Sequence, residues 1–270
     1  MMMGNDNRSC RKHGAAGFTL METLIVVTVI AMLAALAYSG GRRMVTSARI
    51  VESTANLRSL AAANTSYLAD YGVYCPADDR FNNRRWHGAR SSSGGSFDPT
   101  KGFLSPYLGK SMCVTTCPLF RAMVEGSSSF ESGTGGYGYN AAYIGGLPGG
   151  AYHPNTYLRV SQRQANVVNP SRTVMFATTA YARKSGLQEY PYCEPPFWDH
   201  GAGPAGARPS PSVHFRANGR ALVAWCDGSV SAEIMNGSSA GANPHGGNAE
   251  EWHLGWFGPE ENNGWWNPAN

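Results

Sequence analysis

The segment that most limits what this chain can become is residues 18–38, an apolar run of 21 residues interrupted by one charge, Glu22. As a helix rising about 1.5 Å per residue it would be about 32 Å long, enough to cross the hydrocarbon core of a bilayer. Residues 1–17 ahead of it are polar and carry Arg8, Arg11 and Lys12 against a lone Asp6, ending in Gly14-Ala15-Ala16-Gly17. A secretory signal places its apolar stretch before the small-residue cleavage site, and here the order is reversed. For the same reason Cys10, with only residues 1–9 before it, is a passenger of the leader and not a lipid-attachment point.

A carboxylate near the centre of a bilayer costs about 2.5 to 3.5 kcal/mol and is usually kept for a partner or a function. A cut between Gly17 and Phe18 would create an amino group at Phe18, four residues before Glu22 and so one helical turn away on the same face. Processing would thereby supply a charge partner. The plainer alternative is an ordinary anchor whose first turn lets Glu22 snorkel at the membrane edge.

The stretch Gly17-Phe18-Thr19-Leu20-Met21-Glu22, followed by an unbroken apolar helix, resembles the N-terminus of type IV prepilins and type II secretion pseudopilins. The resemblance implies that a prepilin peptidase cuts after Gly17, that Phe18 becomes N-methylated, and that Glu22 guides subunit docking. It also implies a cytoplasmic leader, a single pass through the inner membrane and a periplasmic C-terminal part, at the cell surface if assembled into a pilus. Arg42, Arg43 and Arg49 follow the span closely, so the positive-inside bias alone votes only weakly.

Beyond the span, Ser39-Gly40-Gly41 predicts a loosening of the helix, but no proline follows until Pro76. Leu57, Leu60, Ala61, Leu68 and Tyr71 recur at helical spacing, opposite a polar side with Arg49, Glu52 and Arg58. Three regions result: a leader at 1–17, a long helix at 18–71 whose membrane part is 18–38, and a head at 72–270. All 16 prolines and 28 of the 33 glycines lie in that head, so its turns must be dense.

Asn218-Gly219 and Asp227-Gly228 are strong hairpin turns between apolar β-formers. They predict a three-stranded meander over 213–216, 220–226 and 229–234. Residues 172–178, introduced by Asn169-Pro170-Ser171, predict a further strand. The fold class is α+β: a long N-terminal helix packed on an antiparallel sheet with long glycine-rich loops. The head resembles the large pilin-like proteins that carry a histidine followed, after nine intervening residues, by Asp-Gly. Here Asp227-Gly228 is kept, but Ala217 stands where that histidine would be, and His214 lies outside the spacing. Gly136-Tyr137-Gly138-Tyr139-Asn140, the 170–176 segment and residues 254–259 fit the same resemblance more loosely.

Without the leader, five cysteines remain: Cys75, Cys113, Cys117, Cys193 and Cys226. Cys113 and Cys117 could close a small disulfide loop if their Cα atoms come within about 7 Å; a zinc site is the alternative, though the spacing is not the usual one. The chain has no G-x-S-x-G elbow, no H-E-x-x-H helix and no phosphate loop, so it is read as a non-enzyme with no cofactor, apart from calcium that loop carboxylates could bind. His200, His214, His245 and His253 could gather with Asp199 or Asp227 around a metal, as a secreted-side hydrolase would need, but scattered loop histidines are usually solvated. A net charge of +4 with 15% charged residues excludes a nucleic-acid surface. Trp252, Trp256, Trp265 and Trp266 either pack against the sheet or present rings to glycans or a partner.

The resulting expectation is a structural subunit of a type IV pilus or type II secretion pseudopilus. Its partners would be prepilin peptidase, other pilin or pseudopilin subunits, the inner membrane and the assembly machinery. The rival is a membrane-anchored module that binds a glycan or a partner and does not polymerise.

Overall fold

The computed structural model describes residues 18–92, 94–124, 131–198, 206–236, 243 and 246–270, with the backbone alone at 37, 39, 40, 42 and 111. Two compact units emerge, Met1–Thr46 and Ser47–Asn270. In the first, helix α1 (Leu20–Tyr71) begins, with a predominantly apolar sequence as far as Tyr38. The loosening expected at Ser39-Gly40-Gly41 does not occur, and the helix runs through it. Glycine disfavours helix by about 1 kcal/mol relative to alanine, a cost that the adjoining hydrogen-bonded turns of a 52-residue helix absorb.

In the second unit, Ser53, Leu57, Leu60, Ala61, Asn64, Tyr67 and Leu68 of α1 are buried, the three-and-four spacing of a single helix face. Tyr71, expected on this stripe, is instead exposed and stacks on Tyr67 with ring centroids 4.4 Å apart. The helix stops at Gly72, whose φ of +72° and N–H bond to Leu68 O (2.8 Å) form a left-handed cap.

Short strands β1 (Arg84–Arg85) and β2 (Gly88–Ala89) form a hairpin, and helix α2 (Pro118–Arg121) follows. Next come β3 (Tyr137–Tyr139), β4 (Val174–Thr178), the hairpin β5 (Tyr181–Arg183) and β6 (Gly186–Gln188), β7 (Val213–His214), β8 (Arg220–Trp225), β9 (Val230–Ile234) and β10 (Leu254–Gly255). The main sheet is antiparallel in the order β3-β4-β8-β9.

Both sheet faces are covered. Tyr139, Phe176, Leu222 and Ala224 belong to one core with Leu57 and Leu60 of α1. Ala177, Ala221, Val223 and Trp225 belong to a second core with Trp256, Phe257 and Trp266. Burial on two sides explains why β4 and β8 read as continuous apolar runs with no alternation.

The expected meander is only a hairpin, β8–β9. Asn218 (φ 54°) and Gly219 (φ 77°) do make the left-handed turn their sequence demands, with Ala217 and Arg220 exchanging two backbone bonds of 2.9 and 3.1 Å. Pairing stops there because β4 already occupies that edge of β8. Thr178 Oγ1 accepts from Leu222 N–H at 3.1 Å and donates to His214 O at 3.0 Å, which turns β7 away to pair with β10.

Candidate functional site

The helix start is a reciprocal cap. Thr19 precedes the first helical residue, and its hydroxyl accepts from Glu22 N–H at 3.2 Å. Glu22 Oε2 in turn accepts from the Thr19 N–H and from the Thr19 hydroxyl, both at 2.8 Å. This is the capping box that Thr-x-x-Glu encodes, and it satisfies donors that a helix N-terminus leaves open. Both bonds to the carboxylate use Oε2; Oε1 has no hydrogen bond among the described residues.

Behind the box, the polar groups of the apolar stretch are closed within the helix. Thr23 Oγ1 donates to Leu20 O (2.9 Å) and Thr28 Oγ1 to Ile25 O (2.8 Å). The large apolar side chains remain in the open, from Phe18 at 82% through Leu24, Ile25, Val26, Val27, Ile30 and Leu33 to Leu36. Among the described residues no helix is long and apolar enough to cross a membrane. The side chain of residue 37 is outside them, so the described apolar run is 20–36.

Within the head unit, the helix is fastened by the Gly-Tyr-Gly-Tyr-Asn segment. Asn56 Nδ2 donates to the Tyr137 hydroxyl (3.2 Å) and Asn64 Nδ2 to the Tyr139 hydroxyl (3.0 Å). Tyr139 donates onward to Cys75 O (2.8 Å), while Asn64 Oδ1 accepts from Cys75 N–H (2.9 Å). Gly138 is required where it stands, since a Cβ there would lie 2.5 Å from the Thr179 side chain. Asn140 Nδ2 then ties this strand to Val174 O and Trp266 O, both at 2.9 Å.

Gly17, the leader and Cys10 lie outside the described residues, as do Asp199, His200 and His245. The Cys113–Cys117 disulfide is not formed. Cys117 is buried with its Sγ 3.2 Å from Ser53 Oγ of α1, whereas Cys113 is half-exposed in the preceding loop. His214 is buried; desolvation, then the Arg216 charge and His253, hold its pKa well below the ordinary value, and its Nδ1 lies 2.9 Å from an Arg216 nitrogen. Asp227 is spent on its own turn, accepting from the Ser229 N–H (2.9 Å) and hydroxyl (2.7 Å). Among the described residues no group of three or more His, Cys, Asp or Glu could hold a metal. Ala217, at the position of the missing histidine, is buried core.

The tryptophans are largely structural. Trp256 and Trp266 are fully buried and donate to Glu194 O (3.1 Å) and Cys193 O (3.0 Å), while Trp252 and Trp265 are half-buried. Thr19, Asn56 and Asn64 are the residues that sequence reasoning passed over. The Thr-x-x-Glu spacing signals the first, and polar positions within an otherwise apolar helix stripe signal the other two.

Residues 12–38 match the family model described as the prokaryotic N-terminal methylation motif. No curated protein and no solved structure matches the chain. The helix start and the apolar run behind it lie within that motif.

Proposed function

We propose that the chain is a structural subunit of a type IV pilus or a type II secretion pseudopilus, with assembly and not turnover as its work. Prepilin peptidase cuts between Gly17 and Phe18, Phe18 is N-methylated, and residues 18–38 hold the subunit in the inner membrane with the head in the periplasm. The observation that carries this reading is the exposed apolar helix. Its twelve or so large apolar side chains would gain on the order of 20 kcal/mol on leaving water, so something outside the chain must cover them. Lipid covers them first and sister helices afterwards, and moving from one to the other costs little hydrophobic stabilisation.

Glu22 fits this sequence of events. In the lone subunit Oε2 is used by Thr19, and the carboxylate keeps Oε1 for a neighbour's amino terminus. A buried charge without its partner is expensive, so pairing fixes the register of the incoming helix. Mass spectrometry of the mature N-terminus tests the proposal: a chain beginning at methylated Phe18 is expected, and a native chain still beginning at Met1 would refute it.

A further inference from the structure

We infer that the head also carries a binding groove for a neutral oligosaccharide, formed by Arg172, Trp265 and the loop around Asn262. The groove has a volume of about 430 Å³, the size of a small-ligand site.

One wall is a strained loop. Asn262 (φ 51°), Asn263 (φ 60°) and Gly264 (φ 45°) are left-handed in succession, and a Cβ at Gly264 would fall 1.7 Å from Pro259 O. Such backbone costs of order 1 kcal/mol or more per non-glycine residue and persists only where the surroundings over-determine it, as at ligand clamps. Here they do. Buried Asn263 accepts from Phe197 N–H (2.8 Å) and donates to the Tyr143 hydroxyl (2.7 Å), and Val168 N–H donates to Pro268 O (2.9 Å). The wall is therefore set before a ligand arrives, which removes an ordering cost from binding.

The groove is also lined by Arg172, whose guanidinium lies over the Trp265 ring at 5.0 Å. Stacking fixes the guanidinium plane and leaves its N–H edges for a ligand; among the described residues the side chain makes no ion pair or hydrogen bond. Arg172 donates, Glu261 offers its carboxyl oxygens, and the carboxamides of Asn169, Asn262 and Asn267 can do both, Asn262 Nδ2 already giving one bond to Asn270 Oδ1 at 2.8 Å. That mixed set of donors and acceptors matches neighbouring sugar hydroxyls, which both donate and accept. A polyanion would need several cations, and among the lining residues Arg172 is the one cation.

The test uses the full processed chain in a non-glycosidic detergent, with labelled chitotetraose, cellotetraose and mannotetraose as probes. Tetragalacturonate and tetraglutamate serve as acidic sugar and peptide controls. At least one neutral probe should bind with an affinity that salt leaves unchanged. Binding should weaken about tenfold in Arg172→Ala and in Asn262→Gly, the latter keeping a backbone that tolerates positive φ. Ile234→Ser, on the exposed edge strand, should bind as the parent does. The inference is overturned if no neutral probe binds at about 1 mM, if binding survives both groove substitutions, or if either acidic control is preferred.

Discussion

Thr19 and Glu22 close the start of α1 on each other, the Thr19 hydroxyl taking the Glu22 N–H while the Glu22 carboxylate takes the Thr19 N–H. Glu22 therefore has a local task in the single subunit as well as the proposed one between subunits, and substitution can separate the two. Thr19→Val dismantles the cap, worth about 1 kcal/mol, and leaves the charge in place. Glu22→Gln keeps an acceptor for the cap and removes the charge. Filaments sheared from cells should hold Thr19→Val near the parental level and about tenfold less Glu22→Gln, with both proteins equally membrane-bound. Equal incorporation of the two would remove Glu22 from docking.

Asn64 ties the helix to the sheet inside the head unit, and its loss should be felt as stability. Asn64→Ala strands the Cys75 N–H in the core and takes a donor from the Tyr139 hydroxyl, for a cost of about 2 to 3 kcal/mol. Arg58→Ala, six residues earlier on the exposed side, should change stability by less than about 0.5 kcal/mol. Denaturant unfolding of the detergent-solubilised chain, followed by tryptophan fluorescence, makes the comparison; similar midpoints would mean that the Asn64 bonds carry no net weight.

How far the primary structure reveals this molecule depends on the range of the forces involved. The helix, β4 and the two Xaa-Gly turns follow from local spacing and backbone preference, and they stand where Leu57, Val174, Asn218 and Asp227 suggest. The partner of β7 does not follow, because it depends on whether β4 has already taken the neighbouring edge of β8, a competition between residues some 45 positions apart. The capping role of Thr19 was legible in principle. The groove was not, since Arg172 and Trp265 meet only once the whole sheet is assembled.

The cysteines give a chemical test of the same core. Burial raises the thiol pKa at Cys75, at Cys193 and, to about 12, at Cys226, and it removes all three from solvent; Cys117 is enclosed beside Ser53. Only Cys113 among them is half-exposed. A polar alkylating reagent at neutral pH should label Cys113 in the native protein and the others only after denaturation. Native protein that yields a Cys113–Cys117 cross-linked peptide would contradict the thiol arrangement.

Glu194 makes stability depend on pH in a direction that can be worked out. Its carboxyl is buried, and desolvation, only partly offset by the Tyr190 hydroxyl at 2.7 Å and by Arg159, raises its pKa from the ordinary 4.5 to about 7. Between those values the folded chain keeps a proton that the unfolded chain has lost. Stability from this group is thus complete below pH 4.5 and declines as pH rises through about 7, by at most about 3 kcal/mol. Buried His87 and His214 act oppositely. Desolvation and nearby arginines keep them neutral, so acid below their ordinary 6.5 favours the unfolded chain, which can take up the protons. Glu194→Gln should therefore gain on the parent from pH 4.5 to about 7 and level off above it, while a His87→Leu chain should lose less of its stability below pH 6.5. Unfolding midpoints measured across that range decide it: a Glu194→Gln curve running parallel to the parent from pH 4.5 to 8 would mean that the carboxyl ionises normally inside the fold.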